Sequence, residues 1–288
     1  MMSAMSDGEE DTQETDLFNI PWDDVLVPYI GPTLSVKDCF NLRCVSRSGK
    51  SLGESILKKV HKLVLSSTLS QNQGTIQVLR KNCKDIRILT VIPEDEEQDV
   101  PSKISAENFI ILTSGLKRLQ HVNLAHCVNL SPRAVHHIFV NSKYMTFLDL
   151  TRCCWLTDGA LQTLMVHQRH LRDVNLRCCC QISTKCLIKL VALCSNLEQL
   201  NLQQLSSVDD SVLAAILHHC NNLNSLNLVM CQEVSPSAIE RFLLMKPSVS
   251  VKQFGCRSLM CLDPTLYTLM RHNEGGGYMQ MPMGLRFF

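Results

Sequence analysis

One pattern recurs five times in succession at a spacing of 26 residues, and it constrains the fold more than any other property of the chain. Leu119, Met145, Leu171, Leu197 and Leu223 each open an arrangement apolar-x-x-apolar-x-Leu-x-x-Cys-x-x-apolar. The copies read Leu119, Val122, Leu124, Cys127, Leu130; Met145, Leu148, Leu150, Cys153, Leu156; Leu171, Val174, Leu176, Cys179, Ile182; Leu197, Leu200, Leu202, Leu205, Val208; and Leu223, Leu226, Leu228, Cys231, Val234. A fixed period in the twenties predicts stacked supersecondary units, each covering the apolar face of its neighbour.

Within a repeat, a segment such as Leu148-Asp149-Leu150 alternates apolar and polar and reads as a short strand. A helix then opens at a capping residue: Ser131-Pro132, Thr157-Asp158, Ser183, Asp209-Asp210 and Ser235-Pro236. Ser, Thr and Asp side chains accept bonds from the free amides of a first helical turn, and Pro suits the first helical position. Apolar stripes follow, such as Leu161, Leu164, Met165 or Leu213, Ile216, Leu217. Each coil hides about six aliphatic side chains at roughly 1.5–3 kcal/mol apiece before entropy is subtracted, so no coil stands alone. The expected fold class is α/β: a leucine-rich-repeat solenoid with a curved parallel sheet inside and helices outside, preceded by a small all-α unit.

The ends of the array are irregular. Val60, Leu63 and Leu65 fit the repeat, and Cys83, Ile86, Ile88 and Val91 read as a second coil. The next step, from Cys83 to Leu119, is 36 residues, and the surplus holds Pro93-Glu94-Asp95-Glu96-Glu97-Gln98-Asp99. An acidic surface loop is therefore expected near 93–103. A weaker last copy, Val251, Cys256 and Leu259, lies one residue out of register with Gln253 in a leucine slot, as expected of a capping coil. The expected domains are a disordered acidic stretch at 1–15, a small helical unit at 16–60, the solenoid at 61–262 and a tail at 263–288 containing Gly275-Gly276-Gly277.

The formal charge is +1, from 28 basic and 27 acidic residues, a balance that argues against a nucleic-acid binder. No apolar run approaches about 18 residues, so no membrane partner is expected. Met1 to Asp16 is polar and reads as neither secretory nor mitochondrial. Fifteen cysteines are present, but Cys127, Cys153, Cys179 and Cys231 share one repeat position, each a small buried thiol in its own coil. Free thiols in a reducing compartment follow, cytoplasmic with the nucleus as a second location. Cys153-Cys154 and Cys178-Cys179-Cys180 invite a metal reading, helped by His136-His137 and His218-His219. Adjacent cysteines on a strand would point to opposite faces and cannot close one tetrahedral site. Cys127 beside His126 lacks the geometry of a nucleophile and base, and no glycine-rich phosphate loop is present. Neither metal, cofactor nor catalytic residue is expected.

The front unit has its own signature. Ile20-Pro21 opens a helix carrying Asp23 and Asp24 in its first turn and Val25, Leu26, Tyr29 and Ile30 on an apolar face. Val36, Cys39, Phe40, Leu42 and Val45 mark a second amphipathic helix. A unit of about 40 residues buries too little to be robust alone. The stretch closes Leu42-Arg43-Cys44-Val45-Ser46-Arg47-Ser48-Gly49-Lys50-Ser51-Leu52. Its Ile-Pro start and Leu-x-x-Val-Ser-Arg end resemble the F-box, with Gly49 standing where that family carries an aromatic. Followed by cysteine-containing leucine-rich repeats, it resembles the F-box/LRR family across about residues 17–262. The resemblance implies a non-catalytic substrate receptor of an SCF-type ubiquitin ligase. In that family the F-box binds the adaptor Skp1, and through it a cullin–RING core, while the repeats hold a protein substrate. Carried over by position, the Skp1-facing candidates are Ile20, Pro21, Val25, Leu26, Leu42, Val45 and Ser46. Their alternative reading is the plain core of a small helical unit, and Gly49 puts the packing of the last F-box helix in question.

If the strand leucines turn inward, the residues beside them face the concave side. The substrate-binding candidates are His121, Asn123, Phe147, Asp149, Arg152, Asp173, Asn175 and Arg177, an aromatic anchor ringed by charges. The competing reading is that these charges solvate the sheet face and pair with one another. A second functional class stays open beside the ligase adaptor: a repeat scaffold or inhibitor whose front helices only cap the array.

Overall fold

The computed structural model describes residues 21–93 and 104–256. The expected acidic stretch at 1–15, Ile20, most of the expected acidic loop, Leu259 and the tail at 263–288 lie outside the described residues. The chain divides into two compact units, with the boundary between Val60 and His61.

The second unit alternates strand and helix. Its strands are Lys62–Leu65 (β1), Ile88–Val91 (β2), His121–Asn123 (β3), Phe147–Asp149 (β4), Asp173–Asn175 (β5), Gln199–Asn201 (β6), Ser225–Asn227 (β7) and Ser250–Lys252 (β8). They form one eight-stranded parallel sheet in chain order, each strand bonded to the next. Between them lie Ser67–Gln71 (α4), Gln73–Asn82 (α5), Ala106–Thr113 (α6), Pro132–Asn141 (α7), Asp158–His167 (α8), Thr184–Leu193 (α9), Asp210–His219 (α10) and Pro236–Met245 (α11). This is the α/β leucine-rich-repeat solenoid that the period predicts. Ser131, Ser183, Asp209 and Ser235 accept amide bonds from their own first turns, whereas Thr157 makes no side-chain cap.

The register corrects one sequence assignment. Leu89 pairs with Val122, so Ile86, not Cys83, opens the second coil, and the step to the third is 33 residues. Ile86, Leu89 and Val91 are buried while Ile88 is half-exposed. The run Ile86-x-Ile88-Leu89-x-Val91 fits the period in two phases, and burial selects the second. At the far end Val251 pairs with Leu226, a step of 25, which places Gln253 in the leucine slot. The Gln253 Oε1 is buried with no hydrogen-bond partner among the described residues.

Two ladders tie the coils together. Buried thiols donate to backbone carbonyls of the preceding coil: Cys153 to Leu124 at 3.2 Å, Cys179 to Leu150 at 3.0 Å, Cys231 to Leu202 at 3.1 Å and Cys256 to Leu228 at 3.1 Å. The repeat cysteine is thus a buried donor that fits where a larger polar side chain would not. On the sheet side, the side-chain oxygens of Asn123, Asp149, Asn175, Asn201 and Asn227 each accept the amide two residues ahead, at 2.8–3.1 Å. Each such turn brings one residue into the left-handed region: His126, Arg152, Cys178, Gln204 and Met230, with φ of 58–62°. Gly255 takes the same place in the last coil at φ 72°.

The first unit is all helical. The expected opening helix is broken up: a π-helical turn Trp22–Leu26 runs into a single α-turn Val27–Tyr29 (α1) and a 3₁₀ turn Gly31–Thr33. Val36–Val45 (α2) starts at a capping box in which Ser35 and Asp38 bond each other's amides. Ser46 ends α2 and caps Arg47–Lys58 (α3), its hydroxyl accepting the Gly49 amide at 2.9 Å. An added Cβ at Gly49 would lie 2.5 Å from the Leu42 carbonyl oxygen, and at Gly53 2.7 Å from that of Cys39. Gly49-x-x-x-Gly53 therefore lets α2 and α3 approach backbone to backbone. Gly49 does not mark a missing contact, since no aromatic would fit there.

Candidate functional site

The sheet brings the eight substrate-face candidates onto three neighbouring coils. His121 aligns with Phe147 and Phe147 with Asp173, while Asn123, Asp149 and Asn175 form the parallel row two residues on. Strands of three residues end there, so Arg152 and Arg177 stand in the turns that follow. They are nonetheless neighbours, because the Arg152 amide donates to the Arg177 carbonyl at 2.8 Å. Thr151, two residues beyond Asp149, is buried.

These side chains are differently engaged. Asn123, Asp149 and Asn175 are committed to their own turns, and the Asn175 amide also donates to Asp149 Oδ2 at 3.0 Å. Phe147 is half-buried and stacks on His121, with ring centroids 5.7 Å apart and planes 22° from parallel. Asp173 and Arg177 differ: Asp173 Oδ1 and Arg177 Nε are buried without a hydrogen-bond partner among the described residues. Burial pushes the Asp173 carboxyl above its ordinary range, Glu198 adds to the rise, and His121 and Arg172 oppose it. Arg172 is itself paired with Glu198 at 2.8 Å. Asp149 is thus held by its own turn and by the neutral Asn175 amide, whereas Asp173 Oδ1 and Arg177 Nε have no such partner among the described residues.

His126 stands near the same charges, outside the residues the strand pattern marks. It is half-buried, and burial pulls its imidazole below the ordinary range, with Asp149 opposing and Arg177 adding. The signal was present, because His126 stands 26 residues before Arg152 in the same left-handed position.

The cysteine runs resolve into separate environments. Cys178, Cys179 and Cys180 lie in a turn, not on a strand as expected. The Cys178 thiol donates to Gln204 Oε1 at 2.9 Å, the Cys179 thiol is buried, and Cys180 is exposed. Among the described residues, no three His, Cys, Asp or Glu side chains are placed to hold one metal ion. Burial raises the Cys153, Cys179 and Cys231 thiols, the opposite of nucleophile activation.

In the front unit the candidates separate by exposure. Pro21, Val25 and Val45 are exposed, Val45 at 74%, with Tyr29 at 76% beside them in sequence order. Leu42 is half-buried, and Leu26 is buried in the unit's core. Ser46 is exposed but its hydroxyl is engaged as the cap of α3. Arg43 ties α2 to α3 through Glu54 at 2.9 Å and lies over the Phe40 ring.

No family model matches the chain, and no curated protein does. Solved structures do match. The crystal structure of the Rad7 and Elc1 complex in yeast superposes with a TM-score of 0.56 at 20% identity, over 73% of this chain and 54% of that one. The chain thus matches about half the length of that structure's chain, and at this identity the likeness is one of fold.

Proposed function

We propose that the chain is the non-catalytic substrate-recognition subunit of an SCF-type ubiquitin ligase. The observation that carries the reading is the exposed apolar set Val25, Tyr29 and Val45 on a small helical unit directly preceding a leucine-rich-repeat array. Exposed aliphatic and aromatic side chains on so small a unit call for a protein cover. The resemblance of this stretch to the F-box names Skp1, with the cullin–RING core behind it, as that cover. The fold neighbour was itself crystallised in complex with a second protein, Elc1, which agrees with a solenoid of this kind working inside an assembly. The sheet face around Phe147, Asp173 and Arg177 is the substrate-holding surface in this reading. Substrate lysines are then held at high local concentration near the ubiquitin donor, with no chemistry done by this chain. The cytoplasm and nucleus are the compartments proposed.

The test is co-purification. The intact chain should retain Skp1 from purified components, and Val25→Asp with Val45→Asp should lose it while keeping the thermal midpoint of the solenoid. Absence of any Skp1 retention by the intact chain would end the ligase reading and leave a protein-binding scaffold.

A further inference from the structure

The near-zero net charge conceals a row of like charges at one edge. The strand register aligns the loops that enter β2, β3, β4 and β5. Four residues before the first residue of each of these strands stand Lys84, Lys117, Lys143 and Arg169. All four are exposed, and none of their charged groups is held in an ion pair among the described residues. Adjacent coils are about 4.8 Å apart at the sheet, so like charges recur from coil to coil along the row.

Helix ends do not explain the row. Cations near helix C-termini are favoured by the backbone dipole, and Lys84, Lys143 and Arg169 each follow a helix by two residues. Yet α9 and α10 end with the same C-terminal backbone bond, and the residues four before β6 and β7 are Ser195 and Asn221, while Lys246, four before β8, gives its ammonium to the Cys220 carbonyl. The same position before β1 holds Lys58, in the first unit, so within the solenoid the cations without a bonded partner among the described residues fall in four consecutive coils. The next residue in those coils is Asp85, Arg118, Tyr144 and His170 in turn. Arg118 is neutralised by Asp85 at 3.0 Å, whereas Tyr144 is 64% exposed and His170 is exposed.

We propose that the row Lys84, Lys117, Lys143 and Arg169, with Tyr144 and His170 alongside, docks an acidic segment of a protein partner. The surface is distinct from the Phe147 face and does not depend on the ligase reading. Three coil steps span roughly 15 Å, the length of about five residues of extended peptide. Four cations are few for a nucleic acid, whose binders commonly contact roughly 6–10 phosphates and carry a strong basic excess, against a net charge of +1 here. An acidic segment fits both the number and the spacing of the charges, and Tyr144 offers an amphipathic ring beside them.

The experiment is fluorescence anisotropy of the full chain with a labelled peptide of roughly ten alternating Glu and Ser residues, against an oligothymidylate of the same length. The peptide should bind, and binding should weaken as salt is added. Lys117→Glu with Lys143→Glu should weaken it at least about tenfold, while Lys185→Glu with Arg241→Glu, equally exposed cations on the helices, should leave it unchanged. Should the Glu variant fold poorly, Lys117→Gln with Lys143→Gln reads the same contact. No peptide binding, equal losses in both double variants, or tighter binding of the oligonucleotide at the same row would overturn the proposal.

Discussion

Asp158 reaches into the next coil and holds Ser183 with both carboxylate oxygens, Oδ1 accepting its backbone amide at 2.8 Å and Oδ2 its hydroxyl at 2.6 Å. Asp210 holds Ser235 in the same way, at 2.7 Å for both bonds. Ser183 and Ser235 are also the caps of α9 and α11. An acid in the first turn of one helix therefore orients the cap of the next, which fixes the spacing of successive helix starts.

Asp158→Ala should cost about 1 kcal/mol, the scale of a lost cap. Burial alone would raise this carboxyl, but the hydroxyl and amide of Ser183 outweigh it and hold the group below its ordinary range. A depressed folded value means stability that is present at neutral pH and lost as pH falls through that value. Urea titrations at neutral and acid pH should show the alanine variant weaker at pH 7 and its deficit shrinking toward pH 3.

Much of this order was readable beforehand, because a 26-residue period and an apolar-x-Leu strand leave little freedom to β3 through β7. The second coil is ambiguous in sequence because Ile88 and Leu89 are both apolar, and only their packing tells which turns inward. The face residues Asn123 and Asn175 read as free for recognition because sequence gives no sign that their amides are spent on their own turns. Gly49 looked like a lost aromatic for a similar reason: a backbone approach of two helices leaves no composition signal beyond the second glycine at Gly53.

Gly49→Ala should destabilise the front unit, against the helix propensity gain of about 1 kcal/mol that this change brings elsewhere. The new methyl would meet the Leu42 carbonyl, and separating α2 from α3 costs roughly 1–3 kcal/mol as overpacking does. Gly53→Ala meets the Cys39 carbonyl and should behave alike. Circular dichroism melts of the two variants check this; a raised midpoint in both would mean the helices do not pack this closely.

The buried thiols make the protein sensitive to alkali. Burial pushes Cys39 and Cys220 up to about 11 and Cys186, Cys194 and Cys231 up to about 12, against about 8.5 for an unfolded cysteine. With folded values raised, their contribution is whole below about pH 8.5 and is lost between there and the folded values. Denaturant midpoints should fall steadily above pH 8.5. In native protein below that point, a thiol reagent should modify Cys44, Cys154 and Cys180 first among the described cysteines, these being exposed.

In a Cys178→Ala background, which removes the thiol bonded to its side chain, Gln204→Gly should stabilise the solenoid, because a side chain in the left-handed region costs roughly 1–2 kcal/mol, from which the glycine entropy of about 0.5–1 kcal/mol is subtracted. Gly255→Ala should do the reverse, since its φ is positive and an added methyl would strike the Met230 sulfur. Opposite shifts in chemical-denaturation midpoint are the expected pair of results.

Asp173→Asn separates folding from recognition on the sheet face. Its carboxylate carries a buried, unbonded oxygen, and burial with the nearby Glu198 holds its proton on to higher pH than usual. A raised folded value gives stability that is whole below about pH 3.9 and lost as pH rises through the folded value, so at pH 7 the charge weakens the free protein. The asparagine variant should gain on the order of 0.5 kcal/mol at pH 7, the small size reflecting solvent screening of the carboxylate, and nothing at pH 3. A partner cation seated on Asp173 would reverse the balance in the complex, because the buried charge would then be neutralised. Capture of the substrate by the variant should therefore weaken even as its denaturation midpoint rises. Unchanged capture, measured beside Phe147→Ala and Arg177→Glu, would remove Asp173 from the recognition surface and leave its charge a cost without a use.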